Sequence, residues 1–398
     1  MTFEDFRLRY PHQRSDETVS SEIHVLSFCS LTRNLADFSF CHRCSAEEKE
    51  AVQQRILQAA KTLSALKDAS YFPADTVSPV DLLLFGERFL SSYRLSGTET
   101  ASGVLLSEDQ RIALTLNRED HLSIRVLSPQ EKGMAVWEIA DQVDTYLQEK
   151  LGFAFHDKWG YLSPSLHRCG TGLHMVTLLN MPANALVAGR NAGDSAEAQI
   201  ATLSSGLKLQ YLSPGMLPRC PSGYITPAVA ELMAPRIEDY PCQSLYPGSS
   251  EKTAAPQATL GFYRVLTAKH VPGIHERVIA AQMDEAADAL ILREREARKI
   301  LIERPEFLRD YVRRCLALIA QTHCLGLKEG LVCLSILRLA AETGHLKNCD
   351  KQQTDLLLYA MQRAHLALSP GVDPEDPFSL AEERAKRFRT VFEKAALV

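Results

Sequence analysis

The sequence lacks a surplus of positive charge: 44 Lys and Arg stand against 49 Asp and Glu, a formal net charge of −5. A chain so balanced is not built to neutralise nucleic-acid phosphates over a broad surface. Long hydrophobic runs are also missing. No uninterrupted apolar stretch reaches the roughly 20 residues of a membrane-spanning helix. The opening residues, Met1-Thr2-Phe3-Glu4-Asp5-Phe6-Arg7-Leu8-Arg9, carry charge where a secretory signal is apolar. The expectation is a cytoplasmic protein with neither a nucleic acid nor a membrane as partner. Cysteine is sparse, ten in 398 residues, far below a disulfide scaffold, so most thiols read as reduced, buried, small side chains. Cys41-His42-Arg43-Cys44 has the spacing of half a zinc site, but no second such pair follows. Structural zinc needs four ligands, and no metal is expected.

What is present is an ordinary globular composition, 45% hydrophobic and 23% charged, long enough for about two domains. Val52, Ile56, Leu57, Ala60 and Leu63 fall at helical spacing behind Ser45-Ala46-Glu47-Glu48, an N-cap followed three residues later by a carboxylate. Ile112, Leu114 and Leu116 alternate, Asn117-Arg118-Glu119-Asp120 is a polar turn, and Leu122, Ile124 and Val126 alternate again, which predicts a β-hairpin with a charged tip. Met134–Leu151 returns to helical period. Leu173–Leu179, Leu207–Leu212 and Gly261–Thr267 read as strands. Pro, Ser and Gly crowd residues 213–258, an irregular insertion. After His275 the pattern is helical: Ile279–Ile302, Phe307–His323, Lys328–Thr343, Thr354–Leu368 and Leu380–Ala396. Strands with helices followed by helices alone describe an α+β domain over residues 1–272 joined to an all-α domain over residues 273–398. Arg293, Arg295, Arg298 and Lys299, interleaved with Glu294 and Glu296, read as a solvated helix face.

Four stretches, in order and spacing, resemble the bacterial guanidino kinases of the McsB protein-arginine-kinase type. Leu31-Thr32-Arg33-Asn34-Leu35 is similar to that family's "ARNL" segment, and Asn117-Arg118-Glu119-Asp120-His121-Leu122 to its "NEEDHL" hairpin. Lys150-Leu151-Gly152-Phe153-Ala154-Phe155, running on through Gly160-Tyr161-Leu162 to Gly170-Thr171-Gly172-Leu173, is similar to its "KLxFAF…GYLT…CPTNxGTGL" core. Ala289–Ile302 and Gln362-Arg363-Ala364-His365-Leu366 resemble the helical C-terminal domain. The resemblance implies a catalytic domain with an antiparallel sheet flanked by helices. It also implies transfer of phosphoryl from Mg-ATP to arginine side chains of proteins, and partners of the McsA activator and ClpC protease types in protein quality control.

The same resemblance places the site residues. Glu119 takes the position of the carboxylate that orients and deprotonates the guanidinium, with Asp120 beside it; Glu251 takes that of the second carboxylate, and Ser165 that of a reactive cysteine. The ATP-gripping "SRIR" arginines fall on Ser27-Phe28-Cys29-Ser30, leaving Phe28 and Ser30 without charge. Two further arginine positions hold Ser123 and His174, and another falls on Gln210 or Gln243. Arg168 is a possible substitute, with Arg118, Arg33 and Arg43 nearby in sequence, and the phosphoarginine-reading "RDxxRA" motif is reduced to Arg384-Ala385. One transition-state arginine is worth about 10³ to 10⁵ in rate. The expectation is therefore a homo-oligomeric binding or regulatory protein that recognises arginine side chains and takes no nucleotide at high affinity. The alternatives are an active protein-arginine kinase with rearranged Mg-ATP ligands, and a scaffold built on the helical domain.

Overall fold

The computed structural model describes residues 1–9, 23–91, 99–129, 131–166, 169–188, 207–211, 263–269 and 274–398. Arg168, Gln243, Glu251 and the insertion at 213–258 lie outside the described residues. The chain divides into two compact units, one drawn from Met1–Leu179, Ala196–Gln210 and Val265–Leu290, the other from Asn180–Ser195, Tyr211–Arg264 and Ile291–Val398.

The first unit begins with a short helix, α1 (Phe3–Leu8), capped by reciprocal Thr2 and Asp5 hydrogen bonds. Its C-terminal carbonyls are taken by the fully buried Arg88, which donates to Phe6 O, Arg7 O and Arg9 O. Strand β1 (His24–Arg33) leads to α2 (Ala46–Lys61), whose capping box is the Ser45–Glu48 pair that the sequence pattern indicated. There follow β2 (Ser70–Pro73), α3 (Pro79–Glu87), β3 (Gly103–Leu106), β4 (Ile112–Leu116), β5 (Leu122–Ser128) and α4 (Gly133–Leu151). A two-residue pair, β6 (Phe155–His156) and β7 (Gly160–Tyr161), precedes β8 (Leu173–Asn180). With β9 (Leu207–Tyr211) and β10 (Tyr263–Lys269) the sheet has eight strands in the order β2-β3-β4-β5-β1-β8-β10-β9. β1 runs antiparallel to both β5 and β8.

β1 is buried along nearly its whole length, at positions on both of its faces. Helix α4 covers one of those faces. Its apolar stripe, Val136, Trp137, Ala140, Val143, Leu147 and Leu151, is buried. Each of its valine and leucine side chains contributes about 1.5–3 kcal/mol when removed from water. Asp284 closes the start of α4 by accepting from the N–H groups of Gly133 and Met134, 2.8 and 3.1 Å. Arg33, 1% exposed, reaches Asp144 of α4 at 2.8 Å. Since alternate strand residues face opposite ways, Ser27, Cys29 and Leu31 share the α4 face with Arg33, and Phe28, Ser30 and Thr32 occupy the other.

Helix α5 (Pro182–Ala188) follows β8, and the later helices are α6 (Glu276–Glu303), α7 (Pro305–Gln321), α8 (Leu327–Glu342), α9 (Lys351–Ala360), α10 (Arg363–Leu366) and α11 (Pro377–Phe392). The helix expected over Thr354–Leu368 is broken at Met361-Gln362. Arginines of α11 satisfy the carbonyls freed by the break: Arg384 donates to Met361 O at 2.9 Å, and Arg387 to Ala360 O at 2.7 Å. The last helix starts three residues earlier than expected, at the Asp376 N-cap and Pro377. It stops at Phe392, and Ala396–Leu397 (β12) pairs instead with Leu346–Lys347 (β11).

The charged run on α6 departs from the solvated face expected of it. Arg295 and Lys299 are exposed, but Glu294 and Arg298 are buried, joined at 3.1 Å. Arg298 also pairs with Glu342 at 3.0 Å, and Glu342 with the buried Arg338. Glu294 accepts from the N–H groups of Ala183 and Asn184 in the first turn of α5. Burial pushes its carboxyl up to about 7. The periodicity was correct; the partners that make burial tolerable lie too far along the chain to be read from it.

Candidate functional site

The face of β1 turned away from α4 collects four positions from three strands that lie far apart in sequence. Phe28 is opposite Leu127 of β5 and Val176 of β8; Ser30 is opposite Arg125 and His174; Thr32 is opposite Ser123. Directly opposed residues in antiparallel strands share a face. Phe28, Ser30, Ser123 and His174 therefore form one patch. Phe28 and Ser30 make its floor, 6% and 5% exposed, while Ser123, Arg125 and His174 are half-buried at its rim.

The patch is internally engaged. The hydroxyls of Ser30 and Ser123 are 3.1 Å apart and hydrogen-bonded. The Phe28 ring meets His174 edge-on, with centroids 5.8 Å apart, and packs near Phe89 at 6.4 Å. Arg125 lays its guanidinium over the Phe28 ring, 4.6 Å from the centroid, and donates to Phe89 O at 3.1 Å. Arg125 was missed by sequence reasoning. The signal was available: the alternation that puts Ser123 on this face puts Arg125 there too.

The hairpin tip is held by a separate network. Asn117 adopts a left-handed conformation, φ 50°, and its amide donates to Lys49 O and Ala101 O. Asp120, 5% exposed, accepts from Asn34 Nδ2 at 2.7 Å and from Ser163 Oγ at 2.9 Å. His121 is fully buried; its Nδ1 accepts from Leu35 N–H and its Nε2 donates to Ser39 O, which fixes the tautomer. Burial lowers its pKa, keeping the ring neutral. These bonds anchor the tip to the segment after β1, and Glu119 stands exposed upon it. A surface carboxylate on a rigid turn can meet a guanidinium without the sheet opening. Ser165 is half-buried in the loop after β7. The Cys169 thiol lies 3.6 Å from Ser163 O and 3.9 Å from Ser165 O. Gly172, φ 64°, brings this loop so close to β1 that a Cβ would lie 2.6 Å from Thr32 O.

The structure brings Ser27 to the opposite face from Phe28 and Ser30. It is fully buried, between His24 Nε2 at 2.8 Å and Thr177 Oγ1 at 2.9 Å. Arg33 is committed to Asp144, to Thr32 O and Thr171 O, and to the Tyr161 ring, 3.5 Å from its centroid. Arg118 pairs with Glu99 at 2.8 Å. Gln210 lies in β9, and Arg43 is exposed. Arg384 belongs to the second unit, 7% exposed, with its donors on Met361 O and Leu325 O. Among the described residues no three His, Cys, Asp or Glu side chains gather as a metal-holding group, and no helix is long and apolar enough to cross a membrane.

Comparison with known proteins gives two domain matches: the ATP:guanido phosphotransferase C-terminal catalytic domain over residues 51–200, and the protein-arginine kinase McsB C-terminal domain over residues 305–396. A protein-arginine kinase of Halothermothrix orenii is 27% identical over 346 residues, 87% of this chain and 86% of that one. One from Symbiobacterium thermophilum is 28% identical over 361 residues, 88% of each. Among solved structures, a lombricine kinase is similar with a TM-score of 0.48 and 16% identity, covering 72% of this chain and 71% of that one.

Proposed function

The chain belongs to the ATP:guanido phosphotransferase family and joins its catalytic domain to the C-terminal domain of protein-arginine kinases, and from that premise we propose that it is a pseudokinase: a binding or regulatory protein that recognises arginine side chains of other proteins and grips nucleotide poorly. The observation that carries this reading is the patch on β1, β5 and β8. Its four positions converge, as a phosphate site requires, yet carry Phe28, Ser30, Ser123 and His174 where the resemblance implies arginines. The side chains present do not fit a triphosphate: Ser30 and Ser123 hydrogen-bond each other, and the Phe28 ring fills the floor. Each lost charge-assisted contact removes about 1.5–3 kcal/mol. Glu119, exposed on its anchored tip, supports retention of the guanidinium side.

A role in bacterial protein quality control, with an activator of the McsA type and a protease of the ClpC type, in the cytoplasm and as a homo-oligomer, extends the same reading. The test is titration with Mg-ATP. Binding no tighter than about millimolar, a free energy near 4 kcal/mol, is the expected result, with no phosphoryl transfer to an arginine-rich protein. Micromolar affinity with turnover overturns the pseudokinase reading and leaves an active kinase with rearranged ligands, which the presence of Arg125 on the patch favours as the second reading. Loss of all binding to arginine peptides leaves the scaffold.

A further inference from the structure

The hairpin tip that carries Glu119 is braced in part by a thiol. Cys44, half-buried in the segment before α2, donates to Ser39 O at 2.8 Å. Its sulfur lies 3.6 Å from His121 Nε2, which donates to the same carbonyl. Cys41 stands three residues away, 3% exposed, and both cysteines are free thiols. We propose that Cys41 and Cys44 are a thiol–disulfide site, oxidised by a low-molecular-weight disulfide, and that forming the bond loosens the tip through His121.

The local backbone suits the bond. Phe40 O accepts from Arg43 N–H at 2.7 Å and from Cys44 N–H at 3.1 Å, so residues 40–44 make one tight turn. Side chains three apart on a helical turn are neighbours, about 5–6 Å between Cβ atoms. A disulfide spans about 3.5–4.5 Å between them, so closing it tightens the turn. The Cys44 sulfur is drawn toward Cys41 and, having lost its proton, no longer donates to Ser39 O. Zinc is the other chemistry of paired cysteines, and it needs more ligands. Among the described residues no three His, Cys, Asp or Glu side chains gather to hold it.

Access sets the order of events. Burial pushes the Cys41 thiol up to about 12 and raises that of Cys44 as well, so both rest as thiols near neutral pH. Cys44, the more open, reacts first: its sulfur bonds one sulfur of the small disulfide RSSR, and the other leaves as RSH with the Cys44 proton. Cys41, held close by the turn, then attacks the Cys44 sulfur, and its proton leaves with the second RSH. The protein loses two hydrogens, and RSSR becomes two RSH. His121 carries the effect onward. Its Nδ1 accepts from Leu35 N–H and its own N–H donates to Asn34 Oδ1, both at 3.0 Å. It lies two residues from Glu119, so a weakened hold on its ring slackens the turn that presents the carboxylate.

The full reduced chain is incubated with oxidised glutathione and mapped by mass spectrometry without reductant. A Cys41–Cys44 link, lighter by two hydrogens, is the expected product, and a reductant should reverse it. In Cys41→Ser the same treatment should stop at a glutathione adduct on Cys44. Hydrogen exchange reads the tip: the Leu35 and His121 amides should exchange at least threefold faster in the oxidised chain while those of β8 hold their rates. In Cys41→Ser/Cys44→Ser the oxidant should change neither. An adduct on Cys44 with no link in the unmutated chain overturns the inference, as does a link that leaves both amides unchanged. The oxidised chain should also bind an arginine-rich peptide at least threefold more weakly, the one arm that rests on the proposed function. Equal affinity in the two forms overturns the inference and leaves that function standing. If the peptide binds neither form, the proposed function falls, and the link and the exchange still decide the inference.

Discussion

Glu119 and Asp120 are neighbours with different surroundings, and the difference sets what each substitution does. Asp120 holds two donors in the buried network, so Asp120→Ala removes the acceptor of Ser163 Oγ and one of the two acceptors of Asn34 Nδ2, which keeps Leu162 O, and should cost about 1–3 kcal/mol of stability in urea unfolding. Glu119→Gln should leave stability within about 0.5 kcal/mol and weaken binding of an arginine-rich peptide several-fold. A large stability loss would instead tie Glu119 into the fold. His24 gives a pH dependence. Burial lowers its pKa to about 4, against about 6.5 in the unfolded chain. Its contribution is therefore complete above pH 6.5 and is lost as pH falls toward 4, because the unfolded chain takes the proton first. Over that whole interval the loss is about 3 kcal/mol. Carboxyls raised by burial, such as Glu294, act in the opposite direction, so the quantity to measure is the difference in stability between the chain and His24→Gln at pH 7.5 and pH 5. That difference should shrink as pH falls; a constant difference would refute it. At this scale the sequence is least legible. Asp120 and Asn34 are brought together across 86 positions, and only three-strand register shows that Arg125 stands beside Ser30.

Elements were far more legible, because their signals are local. Alternation on either side of Asn117-Arg118-Glu119-Asp120 located the hairpin to within a residue of β4 and β5, and the period of α4 ran to Gly152, which closes the helix at φ 66°. The helical stretch after Thr354 misled for a physical reason. Apolar residues continue at helical spacing through Met361, and nothing local marks the break, since the donors that make it stable come from α11. Arg384 is thus a structural cap: its Nε and Nη1 serve carbonyls at the end of α9 and before α8. Arg384→Met keeps bulk but leaves these carbonyls unserved, and should cost about 1–3 kcal/mol. The cost would be read as a lowered thermal midpoint, with the affinity for arginine peptides unchanged. If peptide binding falls while stability holds, Arg384 reads ligands rather than carbonyls.

Taken over the whole molecule, arginine recurs as an internal strut. Arg33 ties β1 to α4, Arg88 closes α1, Arg298 and Arg338 join Glu294 and Glu342, and Arg384 bridges helix ends; all five are at most 7% exposed. Arg9, Arg43 and Arg295, by contrast, are exposed. In a chain whose relatives are protein-arginine kinases, this division has a chemical consequence. Burial places the guanidinium groups on which the fold depends beyond the reach of any catalyst or reagent that modifies arginine. Labelling the folded chain with an arginine-selective dicarbonyl should modify Arg9, Arg43 and Arg295 within minutes and spare Arg33, Arg88, Arg298, Arg338 and Arg384 until denaturant is added.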